Sequence, residues 1–122
     1  DGTSGPRYSL DAARLLIRLA ASCNSADRNI AAGAGPIVGG TGRPAVRSVT
    51  GQDEASWQHP VTDVASAAVS SATGNKAGTT AALAAAAALQ TEYPTYYGAA
   101  WVALGRAMLT TDLLGSCART NA

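Results

Sequence analysis

The stretch from Thr79 to Tyr93 reads TTAALAAAAALQTEY, and no other segment limits the fold as strongly. Alanine is the best helix former and nothing in the run breaks a helix, so these residues predict a long helix. It is too short and too weakly apolar to span a bilayer. Alanine also buries little area per side chain. The chain is 47% hydrophobic yet contains no Phe, so a body built from such helices has a thin core. Only 14% of the residues are charged, against about a quarter in ordinary soluble domains. Much of the surface is therefore expected to be covered, either by the chain's own packing or by another polypeptide.

The remaining segments fit the same all-α class. DGTSGPRY (1–8) is turn-forming and irregular. Ser9 is placed to cap a helix running to about Ser22. SADRNIAAG (25–33) predicts a short second helix, with Ser25 as cap and Gly33 as stop. Residues 33–61 are rich in Gly and Pro and lack a helical period; AVRSVT (45–50) alternates like a short extended segment. A loop of that length in a compact domain is functional or wraps on a partner. TDVASAAVSSATG (62–74) predicts a helix capped by Thr62 and ended by Gly74. PTYYGAAWVALGRAMLTTDLL (94–114) predicts the last helix, capped by Thr95, with Tyr97, Trp101, Leu104 and Met108 at helical spacing. With no internal repeat and no linker, the 122 residues form one unit of four or five helices and one long irregular loop.

The formal net charge of +1 argues against an electrostatic grip on nucleic acid or acidic membrane. No signal peptide is visible at Asp1 and no initiator Met precedes it, which suggests a processed or trimmed product. Cys23 and Cys117 lie near opposite ends, a spacing that fits no metal motif. They are either two free thiols of a cytosolic protein or one disulfide tying the C-terminus back to the first helix. The disulfide is the preferred reading and places the protein outside the cytoplasm. His59 is the only His, so no His-based metal cluster or Ser–His pair is expected. GAGPIVGGTG (33–42) lacks the Gly-Lys-Ser/Thr ending of a phosphate loop and the strand-to-helix setting of a dinucleotide site; it reads as a flexible connection. No metal and no cofactor is expected.

The candidate chemistry lies in RYSLDAARLLIRLA (7–20). On a helix begun at Ser9, Asp11 falls in the first turn, and Arg14 and Arg18 follow on one stripe. Almost every other position is apolar, which predicts a helix buried on most sides. Two readings fit. Asp11 complements the helix dipole and pairs with Arg14, or the stripe lines a polar cleft where a carboxylate beside an Arg activates water or holds a ligand. In the long loop, Trp57 and His59 of ASWQHP are candidates for stacking on a pyranose and hydrogen-bonding a hydroxyl; the alternative is that Trp57 pins the loop to the core.

The segment RYSLDAARLLIRLA resembles the aromatic–Tyr–Asp–x–x–Arg segment of family 8 glycoside hydrolases, and PTYYGAAWVALGRAMLTTDLLGSC (94–117) resembles that family's closing helix. Those enzymes are inverting and endo-acting on β-linked glucans, xylans or chitosan. The resemblance implies a partial (α/α) toroid, the last helices of a six-hairpin barrel. It makes Asp11 the general base and Arg14 the residue that orients it. Tyr93, Tyr96 and Tyr97, near where the family's tyrosines border the sugar cleft, join Trp57 as candidate substrate contacts. Leu10 stands where the family has Tyr, and of the family's Pro-Trp-Arg continuation Leu16-Ile17-Arg18 keeps only the Arg. The family's general-acid Glu lies in an N-terminal part not present here; Glu54 and Glu92 are the only Glu residues, and neither sits in a matching context. Inversion needs two carboxyl groups about 6.5–9.5 Å apart. The implied protein is thus one part of a secreted hydrolase, completed by the N-terminal portion of the same precursor or by a separately encoded mate. The alternative is a non-catalytic helical subunit of the same origin that binds polysaccharide or a protein.

Overall fold

The helix that most of the molecule packs around begins at a proline. The computed structural model describes residues 6–118. Along it run β1 (Arg7–Tyr8), α1 (Leu10–Ala21), α2 (Ser25–Gly33), α3 (Gly35–Val38), β2 (Arg47–Ser48), α4 (Pro60–Ala72), α5 (Lys76–Glu92) and α6 (Tyr96–Thr110). The fold is mostly helical, and the two short strands make one antiparallel ribbon, Arg7 opposite Ser48 and Tyr8 opposite Arg47. Helix α4 packs against α1, α2, α5 and α6. Its residues from Pro60 to Ala68 are all buried, as befits a helix surrounded by others. Small side chains make this possible: a methyl group added at Gly105 of α6 would collide with Val64 of α4.

The thin core expected from composition is present. The largest fully buried side chains are Ile17, Val38, Val61 and Val64, with Thr62 and Ser71, and much of the rest is alanine. Trp101 is buried in the core, while Tyr97 and Met108 pack on its edge. One disulfide joins Cys23 to Cys117 across a sequence separation of 94, with Cα atoms 4.9 Å apart. The Cys117 N–H donates to the Ala21 carbonyl, so the bond ties the chain after α6 to the end of α1. A closed loop of that length stabilises by about 4–5 kcal/mol in the chain-entropy account.

Three helix starts differ from the sequence reading. Asn24, not Ser25, caps α2, accepting from the Ala26 N–H. His59, not Thr62, caps α4: its Nδ1 accepts from the Val61 N–H at 3.1 Å, and Pro60 takes the first helical position, where a missing N–H costs nothing. Helix α5 starts at Lys76 because the Asn75 side chain accepts from the Gly78 N–H. Thr95 caps α6 as expected, but that helix stops at Thr110 rather than Leu114. The stretch 33–61, without a helical period in its sequence, nevertheless contains α3, which ends where Gly39 turns left-handed at φ 72°.

The loop from Gly39 to Trp57 is organised by one buried cation. The Arg47 guanidinium donates to the carbonyls of Ile37, Val38 and Gly51 and pairs with Asp53 at 3.0 Å. This fastens α3, the ribbon and the loop tip together.

The starts of α1, α4 and α6 share one end of the molecule. Tyr8, just before α1, lies near Asp63 in the first turn of α4. His59 at the start of α4 meets Tyr97 at the start of α6, ring centroids 5.3 Å apart. The end of α5 reaches the same place, where Leu89 and Glu92 face Trp57 and Gln58.

Candidate functional site

Asp11 projects from the first turn of α1 into solvent, its side chain 87% exposed. Its one ion-pair partner among the described residues is Arg14, whose guanidinium donates to a carboxylate oxygen. With Leu15 and Arg18 they line a shallow recess of about 270 Å³. Helix α1 is therefore not buried on most sides. Ala13, Leu16, Ile17, Ala20 and Ala21 face the core, while Asp11, Leu15 and Arg18 face water. The reason is geometric: α4 and its neighbours cover one side of α1, and no described element covers the edge that carries Asp11 and Arg18. Leu15, exposed at 55%, also borders an apolar slot of about 210 Å³ formed with Tyr8, Leu16, Leu19, Ile30 and Val49. Chemically the Asp11–Arg14 pair is a carboxylate held at one oxygen and open to water at the other. Such a group takes a proton from a bound water or accepts from a hydroxyl.

The aromatic candidates separate into two groups. Trp57 and Tyr93 face a common recess of about 460 Å³, together with Ser56, Gln58, Leu89 and Glu92. Trp57 is half exposed and so does not pin its loop to the core; its carbonyl accepts from the Ala45 N–H, a bond within the loop. Tyr96 stands clear of both recesses, and Tyr97 is half-buried against the His59 ring. His59 is occupied as a helix cap, and burial holds its pKa below the usual 6.5. The Trp57–Tyr93 recess lies beside the start of α4, whereas the Asp11 recess runs along α1 from its first turn to Arg18 in its last.

Sequence reading missed a buried polar group behind α1. The Asp63 carboxylate, 4% exposed, accepts from the Gly42 N–H at 3.1 Å. Burial pushes its pKa up, and the Gly42 bond offsets this in part. The Tyr8 hydroxyl is buried without a hydrogen-bond partner; burial pushes its pKa up, the Arg47 charge pulls it down, and Asp63 raises it further. The available signal was a second first-turn acid in an apolar helix, in TDVASAAV. No group of three or more His, Cys, Asp or Glu side chains suited to a metal ion occurs among the described residues. No described helix is long and apolar enough to cross a membrane. Comparison with protein-family models, curated proteins and solved structures finds no match to this chain.

Proposed function

We propose that this chain is the C-terminal helical part of an inverting glycoside hydrolase acting on a β-linked polysaccharide, akin to family 8. Asp11 is its general base and Arg14 the residue that orients that base. The observation that carries the reading is the placement of Asp11: one oxygen on Arg14, the rest of the group in water, on a helix whose far side is core. A base must reach a water molecule, and a base deep in packing does not. In the reaction Asp11 takes a proton from water as its oxygen attacks the anomeric carbon. The bond to the leaving oxygen breaks on the opposite face, where a carboxylic acid of the completing polypeptide donates a proton. That polypeptide is the N-terminal portion of the same precursor or a separate mate, and it closes the (α/α) toroid over the open side of α1. Trp57 and Tyr93 border the path of the sugar chain. The disulfide fits an extracytoplasmic, secreted setting.

Native mass spectrometry of the assembled protein is expected to show a companion about twice this length carrying a cleft Glu. In that assembly Asp11→Asn lowers hydrolysis by about 10²–10⁴-fold. Because Asp11 makes only a surface pair, stability shifts by less than about 1 kcal/mol. Undiminished hydrolysis by Asp11→Asn removes Asp11 from the mechanism. A second reading, a non-catalytic polysaccharide-binding subunit, draws on Leu10 standing where a Tyr would help place the water. It is favoured if the assembly binds polysaccharide but the parent protein does not hydrolyse it.

A further inference from the structure

The end of α1, the middle of α6 and the turn after α6 enclose a cavity of about 340 Å³, within the range of small-ligand sites. The hydrolase reading makes no use of it. Trp101, Leu104 and Met108 form one stripe of α6, and all three line the cavity. Leu114 lines it from the turn after the helix, and Arg18 from the last turn of α1. The turn is held in place by bonds of its own. The Ser116 hydroxyl donates to the Met108 carbonyl at 2.6 Å, the Cys117 N–H donates to the Ala21 carbonyl at 2.9 Å, and the disulfide to Cys23 ties the same turn to α1. Leu104 and Leu114 are nonetheless 39% and 58% exposed, so the cavity offers apolar surface to a ligand. Arg18 is the only charged residue of the lining. It forms no ion pair among the described residues, and the carboxylate of the adjoining recess, Asp11, is engaged by Arg14. The last turn of a helix favours a cation, which accounts for an Arg at this position but not for the lack of any acid lining the cavity. One unpaired guanidinium beside Trp, Leu and Met side chains suits a ligand with a single negative charge on an apolar body. The guanidinium fork takes both oxygens of a carboxylate, whereas a phosphate monoester carries more charge than one Arg balances. Met108 gives the wall an adaptable side chain that follows a flexible ligand.

We infer that this cavity binds a medium-chain aliphatic carboxylic acid in its ionised form, the carboxylate at Arg18 and the chain along Trp101, Leu104, Met108 and Leu114. The inference stands apart from the hydrolase reading and from the role of Asp11. The test is calorimetric titration of the full chain carrying Trp57→Phe, at neutral pH and low salt, with decanoate below its micelle-forming concentration. Trp101 is then the only Trp, so its fluorescence reports whether the ligand sits in this cavity. Octanoate, decanol and decyltrimethylammonium are the comparison ligands: a shorter chain, a neutral head and a cationic head. Decanoate is expected to bind one per chain with a shift in Trp101 emission, about tenfold more tightly than octanoate and about tenfold more tightly than decanol. Arg18→Gln should bring decanoate down to the level of decanol and leave decanol unchanged. Arg106→Gln, which removes a cation of α6 outside the lining, should change neither. Leu114→Ala, at an exposed position that the fold does not depend on, should weaken both about threefold. The inference is overturned if decanoate does not bind or binds without changing Trp101 emission. It is equally overturned if decanol or decyltrimethylammonium binds as tightly, if octanoate binds as tightly, or if Arg18→Gln does no more than Arg106→Gln.

Discussion

Arg47→Met is the substitution that most directly tests how this chain holds its long loop. The Arg47 side chain is 7% exposed and has three backbone carbonyls and a carboxylate around it. Methionine fills much of the same volume but returns none of those bonds. The carbonyls of Ile37, Val38 and Gly51 then lose a donor, and Asp53 loses its counter-charge. Asp53 is about half exposed and is solvated again, but each carbonyl left in the packing without its donor costs about 1–3 kcal/mol, so the total loss is about 3–5 kcal/mol. Whole-domain stability is only about 5–15 kcal/mol, so the loss is a large share of it. With a urea slope of about 1–3 kcal/mol/M, the unfolding midpoint should fall by about 2 M. Far-ultraviolet circular dichroism against urea gives that midpoint. Arg47→Lys should fall between the two, since an ammonium group lacks the fork that spans several carbonyls. A midpoint for Arg47→Met within about 0.5 M of the parent would refute the assignment of Arg47 as the loop's anchor.

Three further outcomes follow from the same geometry. Burial holds His59 below its usual 6.5, so as pH falls through that value the unfolded chain takes up a proton before the folded one. The contribution to stability is complete above about 6.5 and is lost as pH falls toward the lowered folded value; His59→Asn, which keeps a capping side chain without the titration, should flatten that slope in pH-dependent urea unfolding. Replacing Cys23 and Cys117 together by Ala should cost about 2–5 kcal/mol in thermal unfolding, and thiol trapping of the parent without reductant should label neither residue. Glu92→Gln should leave stability unchanged or raise it by a few tenths of a kcal/mol, about what an acid at a helix C-terminus costs, and a loss above about 1 kcal/mol would show that Glu92 has a structural partner.

The helices were legible because their residues state a period or a propensity. TTAALAAAAALQTEY has no competing structure to adopt, and Thr95 capped α6 as expected because Thr followed by Gly98 offers the hydroxyl a free N–H. The starts of α4 and α5 were misplaced for one reason: His59 and Asn75 cap with side chains lying ahead of the apolar pattern that marked the helices. Arg47 was hidden because an alternating AVRSVT gives no sign that its cation turns inward to three carbonyls outside that segment. With only two cysteines a disulfide could only be Cys23–Cys117, but that it forms rather than leaving two free thiols is decided by the fold bringing their Cα atoms to 4.9 Å. The Trp57–Tyr93 recess was readable only in its aromatic half, since nothing local to Glu92 tells that α5 ends beside the loop.

Asp11 and Asp63 show what local sequence leaves undecided about the candidate site. Each lies in the first turn of a helix that is otherwise largely apolar, where the dipole favours an anion. Yet Asp63 is buried and bonded to the Gly42 N–H, while Asp11 is in water with Arg14. The difference is supplied by neighbours. Helix α4 has helices on every side, so its carboxylate must find a donor inside or be protonated. Helix α1 is covered on one side only, and its uncovered side carries Asp11, Leu15 and Arg18 together. Leu15, Ile30 and Val49, each at least half exposed, border one apolar slot, and a contiguous apolar patch rimmed by charges marks a partner surface where a single exposed Leu does not. On the proposed reading, the open side of α1 is the face that a completing polypeptide would cover. Leu15→Asp should therefore weaken assembly while leaving the isolated chain folded.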